Sequence, residues 1–212
     1  MDQKIVVAGA TGNLGGRIVK ALNDRGATVS AVVRESSDPE KLRQLEKKGV
    51  EILKVDFEDF NALTELLKGA SCVVSVLQGL HDVIVDAQKH LLDATVAAGV
   101  PRFIPSDYST DFTKLPAGEN RNFDLRRAFH QHLDRAAIRA TSIFNGAFAE
   151  ILSYNTPMLD LKKKSVGYWS NDSDWHLDFT NIDDTAAFTA AAALDFSAPR
   201  YLRIAGFQVS PK

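Results

Sequence analysis

The sequence predicts an α/β fold: a parallel sheet doubly wound with helices on both faces, followed by a small C-terminal lobe. Three observations carry the prediction. A short apolar run, Ile5 to Ala8, leads into Gly9, Gly12 and Gly15 at three-residue spacing, with Leu14, Ile18, Val19 and Leu22 recurring at helical spacing. Short apolar runs then alternate with amphipathic stretches as far as Pro105. Glycine stops the amphipathic stretches, at Gly26, Gly49, Gly69 and Gly99. Strands joined through helices in this way lie parallel, and loops at the carboxyl ends of such strands collect ligands.

The first strand–turn–helix is the most informative segment. Gly9 allows a tight turn out of the strand, Gly12 lets the backbone approach a pyrophosphate, and Gly15 lets the helix pack closely on the strand. The helix N-terminus then turns free N–H groups and its positive dipole end toward phosphate. Gly9, Thr11, Gly12, Asn13, Leu14 and Gly15 are therefore candidate dinucleotide-binding residues. The alternative is an ordinary glycine-rich turn. The spacing is G-x-x-G-x-x-G, and Gly-Ala-Thr-Gly-Asn-Leu-Gly resembles the nucleotide loop of the extended and atypical short-chain dehydrogenases/reductases.

Thr28 to Val33 is the second strand, and Arg34, Ser36 and Ser37 follow it. An acidic residue at this strand end would bond the adenosine 2′-hydroxyl and select NAD(H). Arg34 with its neighbouring hydroxyls suits a 2′-phosphate, so NADP(H) is the preferred cofactor and NAD(H) the possible one. A solvated surface arginine is the alternative. Asp38 and Pro39 open a helix as N-cap and first position, and it runs to Gly49. Val50 to Val55 is the third strand, ending at Asp56 and Phe57, which either meet an adenine or simply terminate the strand. A helix over Asn61 to Lys68 and a strand over Cys72 to Leu77 follow. Gln78 and Gly79 form the ligand-side loop of that strand. Asp82 to Ala98 reads as one long amphipathic helix, and Arg102 to Pro105 as the fifth strand.

Bulk properties narrow the partners. At 212 residues the chain forms one sizeable domain, residues 1–150, with room for a smaller lobe over 151–212. A net charge of −2 gives no electrostatic reason to expect nucleic acid or an anionic membrane. No apolar run approaches the ~20 residues of a membrane span, and no signal peptide precedes the first strand. The single cysteine, Cys72, excludes an internal disulfide and fits a cytoplasmic setting. The histidines lack metal-binding spacing, so no metal is expected.

Two later segments carry a family resemblance. Gly99-Val100-Pro101-Arg102-Phe103-Ile104-Pro105-Ser106-Asp107-Tyr108 resembles the fifth-strand signature of the NmrA-like and isoflavone-reductase-like families. Ala140-Thr141-Ser142-Ile143-Phe144-Asn145-Gly146-Ala147-Phe148 is similar to their sixth strand and the turn bordering the nicotinamide. Leu177 to Ala186 looks like their next strand-to-helix entry, with Asp183 and Asp184 capping a helix over Thr185 to Leu194. The resemblance implies a Rossmann domain that binds NADP(H), with Pro105, Ser106, Asn145 and Phe148 beside the cofactor. It also implies one of two roles: reduction of an aromatic or quinone-type small molecule, or redox sensing through a protein partner.

The chain departs from the enzymatic pattern in one respect. None of its tyrosines is followed four residues later by lysine, and Asp124 stands where isoflavone-reductase-like enzymes carry a lysine before the helical Arg-Arg-Ala segment. A carboxylate cannot stabilise a developing alkoxide. Quinone-like acceptors delocalise their charge and need less help, so an NADP(H)-preferring oxidoreductase leads and a dinucleotide sensor without turnover is the alternative. Tyr108, His81 and His130 are the candidates for proton delivery. Arg126 and Arg127 either bind a ligand or form a solvated helix face.

Beyond Ala147 the alternation fades. Lys162 to Lys164 is a solvated charge run, and Tyr168 to His176 clusters aromatics that either line a pocket for a flat ligand or lie under a loop. Tyr201 to Ala205 is one more strand near the sheet edge. Ser210-Pro211 has the form of a helix start, which suggests that the smaller lobe continues past Lys212.

Overall fold

The computed structural model describes residues 3–154, 159–167 and 172–212. Six parallel strands form the central sheet: β1 (Lys4–Ala8), β2 (Thr28–Val33), β3 (Glu51–Lys54), β4 (Cys72–Ser75), β5 (Arg102–Ile104) and β6 (Arg139–Ala140). Their spatial order is β3-β2-β1-β4-β5-β6. Ile5 pairs with Val29 on one side and Cys72 on the other, so the strand order reverses direction at β1. That reversal opens a crevice at the carboxyl edge of the sheet, where ligands of such folds sit.

The helices are α1 (Asn13–Asn23), α2 (Pro39–Glu46), α3 (Phe60–Leu67), α4 (Gln88–Ala97), α5 (Arg121–Leu133) and α6 (Ile182–Leu194). Alternate strand residues feed two cores. Ile5, Val7, Cys72, Val74 and Ile104 pack with Ile18, Val19 and Leu22 of α1 and the small residues Ala186 and Ala190 of α6. Val6, Ala8, Val73 and Phe103 pack on the other face with Leu63, Leu67, Leu91, Leu92, Phe129 and Leu133. Both faces are covered, which is why the central strands read as unbroken apolar runs. Cys72 is enclosed in this core, and burial pushes its thiol up to about 12, which makes it unreactive at neutral pH.

Helix starts follow a rule with two exceptions. Asp38, Asp59 and Asn120 accept hydrogen bonds from the first turns of α2, α3 and α5. Asn181 does the same for α6, accepting from the Asp184 N–H at 2.6 Å. The cap of α6 is therefore Asn181 rather than Asp183 or Asp184, which lie in its first turn and complement its dipole. Replacing Asn181 with alanine is expected to lower stability by about 1 kcal/mol, read as a shift in denaturant midpoint with unchanged slope. The exceptions are α4, which continues from the turn before it at Ala87, and α1, where Gly12 stands at the N-cap without a side-chain bond and no acidic residue occupies the first turn.

Two expected elements are built differently. The segment Asp82 to Ala98 is not one α-helix, because Asp82–Ala87 forms a wider π-helical turn before α4. Gln88 explains it. Its N–H reaches back to the Val83 carbonyl, and its own buried side chain takes the Ile84 carbonyl at 3.0 Å, which an α-helix would have given to that N–H. The sixth strand is likewise divided. The Thr141 N–H still bonds the Phe103 carbonyl, but the Ser142 N–H bonds Arg200, so the chain changes partners between those residues. β7 (Ser142–Phe144) then pairs in parallel with β12 (Tyr201–Arg203).

The C-terminal part adds small sheets. β8 (Ala147–Phe148) and β13 (Phe207–Val209) flank β11 (Leu177–Thr180), and β9 (Leu159–Asp160) pairs with β10 (Ser165–Val166) around the exposed lysine turn. Ser210 to Lys212 take no helical form, and the Lys212 N–H bonds the Ser173 carbonyl at 3.2 Å. Among the described residues no helix is long and apolar enough to cross a membrane.

Candidate cofactor site

A cavity of about 490 Å³ opens at the carboxyl edge, over the reversal of strand order. Four successive strand ends supply its wall. Gly9, Thr11 and Gly12 come from the β1–α1 turn, and Arg34 and Ser37 from the end of β2. Asp56, Phe57 and Glu58 follow β3, and Val76, Leu77 and Gln78 follow β4. The π-helical turn adds Asp82 and Asp86, and α4 adds His90.

The glycine turn is held by geometry that no larger residue fits. Gly9 has φ +90°, and a Cβ there would run into the Val76 carbonyl. A Cβ on Gly15 would strike the Gly9 carbonyl, so α1 and β1 touch backbone to backbone. The Gly12 N–H bonds the Gly9 carbonyl at 3.0 Å, which closes the turn. The next N–H groups, from Asn13, Leu14 and Gly15, lack intrahelical partners by helix geometry. The uncapped N-terminus of α1 is thus a concentration of unspent donors next to Gly12 on the cavity wall, which suits an anion.

Arg34 lies on the same wall and makes no ion pair among the described residues. Ser37 is folded back beside it by a 3.0 Å bond from its N–H to the Arg34 carbonyl. Asp56 serves two ends at once: it lines the cavity and accepts the Glu58 N–H at 3.0 Å, terminating β3.

The cavity wall therefore gathers Gly9, Thr11, Gly12, Arg34, Asp56, Phe57 and Gln78 of the residues singled out from sequence. Asn13, Leu14 and Gly15 form the first turn of α1 behind it, and Gly79 lies exposed beyond Gln78. Pro105, Ser106, Asn145 and Phe148 lie off this wall, around the ends of β5 and β7. Ser106 is joined to the wall, since its hydroxyl donates to the Leu77 carbonyl at 2.7 Å. Its N–H donates to Gln88 Oε1 at 2.8 Å. The Asn145 side chain is fully buried, and both of its amide atoms lack a partner. Burying such a group without a partner costs about 1–3 kcal/mol.

The three proton-delivery candidates are scattered. Tyr108 is enclosed among the apolar residues under α1 and α6, and burial drives its phenol above its usual range. A hydroxyl sealed there does not reach the cavity. His81 is exposed, with Nδ1 3.1 Å from Asp86. His130 is buried on α5, its Nε2 2.6 Å from Asp107 Oδ2 and its ring edge-on to Phe112. Tyr168 and Trp169 of the aromatic cluster lie outside the described residues, and Trp175 is exposed.

The residues that sequence reasoning passed over are Gln88 and Asp107. Gln88 had a signal: a polar side chain on the buried stripe of an amphipathic helix. Asp107 had less, since its partner His130 lies 23 residues away. A second cavity of about 360 Å³ lies beyond β7. There Arg203 pairs with Asp111 through two nitrogens, at 2.7 and 2.6 Å.

Comparison with known proteins gives these features a setting. The model of the NmrA-like family matches residues 1–208. The isoflavone reductase homolog IRL of Zea mays is 42% identical over 212 residues, covering 91% of this chain and 64% of its own. The bifunctional pinoresinol-lariciresinol reductase of Linum usitatissimum is 29% identical over 201 residues, covering 88% of this chain. This chain spans 63% of that relative's length. Among solved structures, an isoflavone reductase superposes with a TM-score of 0.81 at 23% identity, over 97% of this chain and 70% of that one. The NADPH-dependent quinone oxidoreductase of Escherichia coli, solved with NADPH, gives 0.79 at 21% identity, over 97% and 71%. These likenesses establish the Rossmann-type fold.

Proposed function

Because this chain belongs to the NmrA-like family, we propose that it is an oxidoreductase that binds NADP(H) at the carboxyl edge of the sheet and reduces a small conjugated or aromatic acceptor, such as a quinone or enone. One observation carries the reading: an uncapped helix start and an uncommitted guanidinium face the same cavity. A dinucleotide with a 2′-phosphate has the two anionic groups that these features fit. The reductase names of the maize and flax relatives, and of the bacterial quinone oxidoreductase, support the same class of chemistry.

In this reading the backbone of Gly12 and the first turn of α1 hold the pyrophosphate, while Arg34 and Ser37 hold the 2′-phosphate. Asp56 and Phe57 border the adenine, and Gln78, Pro105, Ser106, Asn145 and Phe148 border the nicotinamide. The bound cofactor supplies hydride; the chain supplies position and electrostatics. Ser106 is fixed from two sides, by Leu77 and Gln88, so the nicotinamide end of the site rests on the same framework as the adenine end.

A second reading has a specific observation behind it. Asp124 is spent as a brace, accepting the Gly118 N–H at 3.1 Å and pairing with Arg127 at 2.8 Å. The position where related enzymes carry lysine is thus taken up by a structural contact, which favours a redox sensor that reports cofactor occupancy to a protein partner.

Calorimetric titration with NADPH, NADP+, NADH and NAD+, followed by NADPH oxidation against a panel of quinones and enones, separates the two. Phosphate-dependent binding with acceptor-dependent oxidation is the expected result. Intact binding without oxidation of any acceptor would leave the sensor, and no binding of any form would remove both.

A further inference from the structure

Arg126 and Arg127 are neighbours on α5 with opposite fates. Arg127 is fully committed, to Asp124 and to the carbonyls of Phe112 and Leu115, each at 2.6 Å. Arg126 donates one bond, to the Asn122 carbonyl at 2.9 Å, and its Nε is buried without a partner. Burial works against its charge, lowering its pKa from the usual arginine range, while the carboxylate of Asp107 works the other way. Asp107 is itself fully buried, with Oδ2 taken by His130 and Oδ1 unpartnered.

These groups connect to the cofactor site. Asp107 follows Ser106, whose hydroxyl is bonded to Leu77 on the cavity wall. Ser109 donates to the Asp107 carbonyl and receives the N–H of Asn145, the buried amide with no side-chain partner. α5 also packs against the π-helical turn that lines the cavity. The unpartnered atoms of Asp107 and Asn145 thus belong to one polar framework around the ends of β5 and β7, and the Arg126 guanidinium, on α5, lies within the electrostatic reach of Asp107. Keeping a cation there carries a desolvation cost that its single hydrogen bond to Asn122 does not offset.

We propose, resting on the reductase reading above, that Arg126 is the cation that receives the negative charge arising on the acceptor's oxygen, with Asp107 and His130 as its positioning residues. The acceptor gains a C–H bond and two electrons at the expense of NADPH, which is oxidised to NADP+. The acceptor's C=O π electrons move onto oxygen, giving an enolate or phenolate that pairs with Arg126 and then takes a proton from solvent. Arg126 keeps its own protons, since a guanidinium is too weak an acid to donate them. This role needs neither a tyrosine–lysine couple nor a lysine at position 124.

The test uses two readouts. The first is NADPH oxidation by a naphthoquinone; Arg126→Ala is expected to lower kcat by about 10²–10³-fold, with NADPH affinity unchanged and kcat partly restored by added methylguanidinium. The second needs no turnover: 4-nitrophenol added to the NADP+-loaded protein is expected to bind as its phenolate, with its absorbance pKa lowered, and Arg126→Ala is expected to abolish that shift. Arg126→Lys keeps the charge without the planar fork and is expected to retain part of both signals, which keeps the test informative where the alanine variant folds poorly. Asp107→Asn is expected to weaken the phenolate shift without removing it.

An Arg126→Ala protein with unchanged kcat and an unchanged phenolate shift would overturn the proposal. So would a wild-type protein that binds NADP+ and shows no phenolate shift, or equal loss of cofactor affinity and kcat in every variant. A wild type that shows the shift and oxidises NADPH with no acceptor would overturn the reductase reading alone, leaving Arg126 as an oxyanion site.

Discussion

Arg34→Ala is expected to raise the Kd for NADPH by about 10- to 100-fold and to leave that for NADH nearly unchanged. Hydrogen bonds to a charged group contribute about 1.5–3 kcal/mol, and each 1.4 kcal/mol is a factor of ten. Arg34 is exposed at the end of β2, and no ion pair among the described residues competes for it, so its loss costs the folded protein little. The carboxylates of Asp56 and Glu58 on the same wall sharpen the contrast. Without Arg34 they face the 2′-phosphate alone, whereas the 2′-hydroxyl of NADH can donate to a carboxylate. Titration of both cofactors at two salt concentrations checks this, because the contribution of an exposed charge pair falls as salt rises. Equal losses for NADPH and NADH would place Arg34 outside the 2′-phosphate site.

The second large effect concerns a methyl group. Gly15→Ala is expected to destabilise the protein by about 3 kcal/mol and to abolish dinucleotide binding, although helix propensity alone favours alanine over glycine by about 1 kcal/mol. The added Cβ would run into the Gly9 carbonyl oxygen, and its near neighbours, in Gly9 and Ala10, are all backbone atoms. α1 has to move off β1, and its N–H groups move with it. Gly16→Ala is the control: its Cβ would sit 3.6 Å from the Ala10 carbonyl, an ordinary contact. That variant is expected to gain about 1 kcal/mol from propensity. Denaturant unfolding of both, with NADPH titration, distinguishes the steric account from a general intolerance of substitution in α1.

The parts of the molecule that were readable from the chain are those decided by local chemistry. Periodicity, glycine stops and the Asp38-Pro39 start gave the order of strands and helices through β5, and G-x-x-G-x-x-G with Arg34 pointed to residues that share one cavity wall. What escaped was decided by groups distant in sequence. The π-helical turn has the same apolar spacing as an α-helix, and only the buried position of Gln88 between Ile84 and Ser106 selects it. The division of the sixth strand depends on Arg200, which takes over the Ser142 N–H. Tyr108 shares a segment with Ser106 and Asp107, yet alternation along the extended chain turns it toward α1 and α6. Asp183 and Asp184 are acceptable caps in composition, but the extended backbone of Asn181 places its side chain where the cap must be.

The pairing of α1 with α6 has a consequence for how the protein is made. Arg17 and Asp183 form an ion pair across 166 residues of sequence, and Ala186 and Ala190 close the face of α1 that Ile18, Val19 and Leu22 present. α1 leaves the ribosome long before its covering helix, since Asp183 follows Arg17 by 166 residues. Until then its apolar side has only the strands beneath it. Long-range contacts of this kind slow folding and leave early segments dependent on late ones. On a growing chain the glycine turn proposed to hold the dinucleotide should therefore acquire affinity abruptly, once α6 has been synthesised and docked, rather than with the strands that surround it.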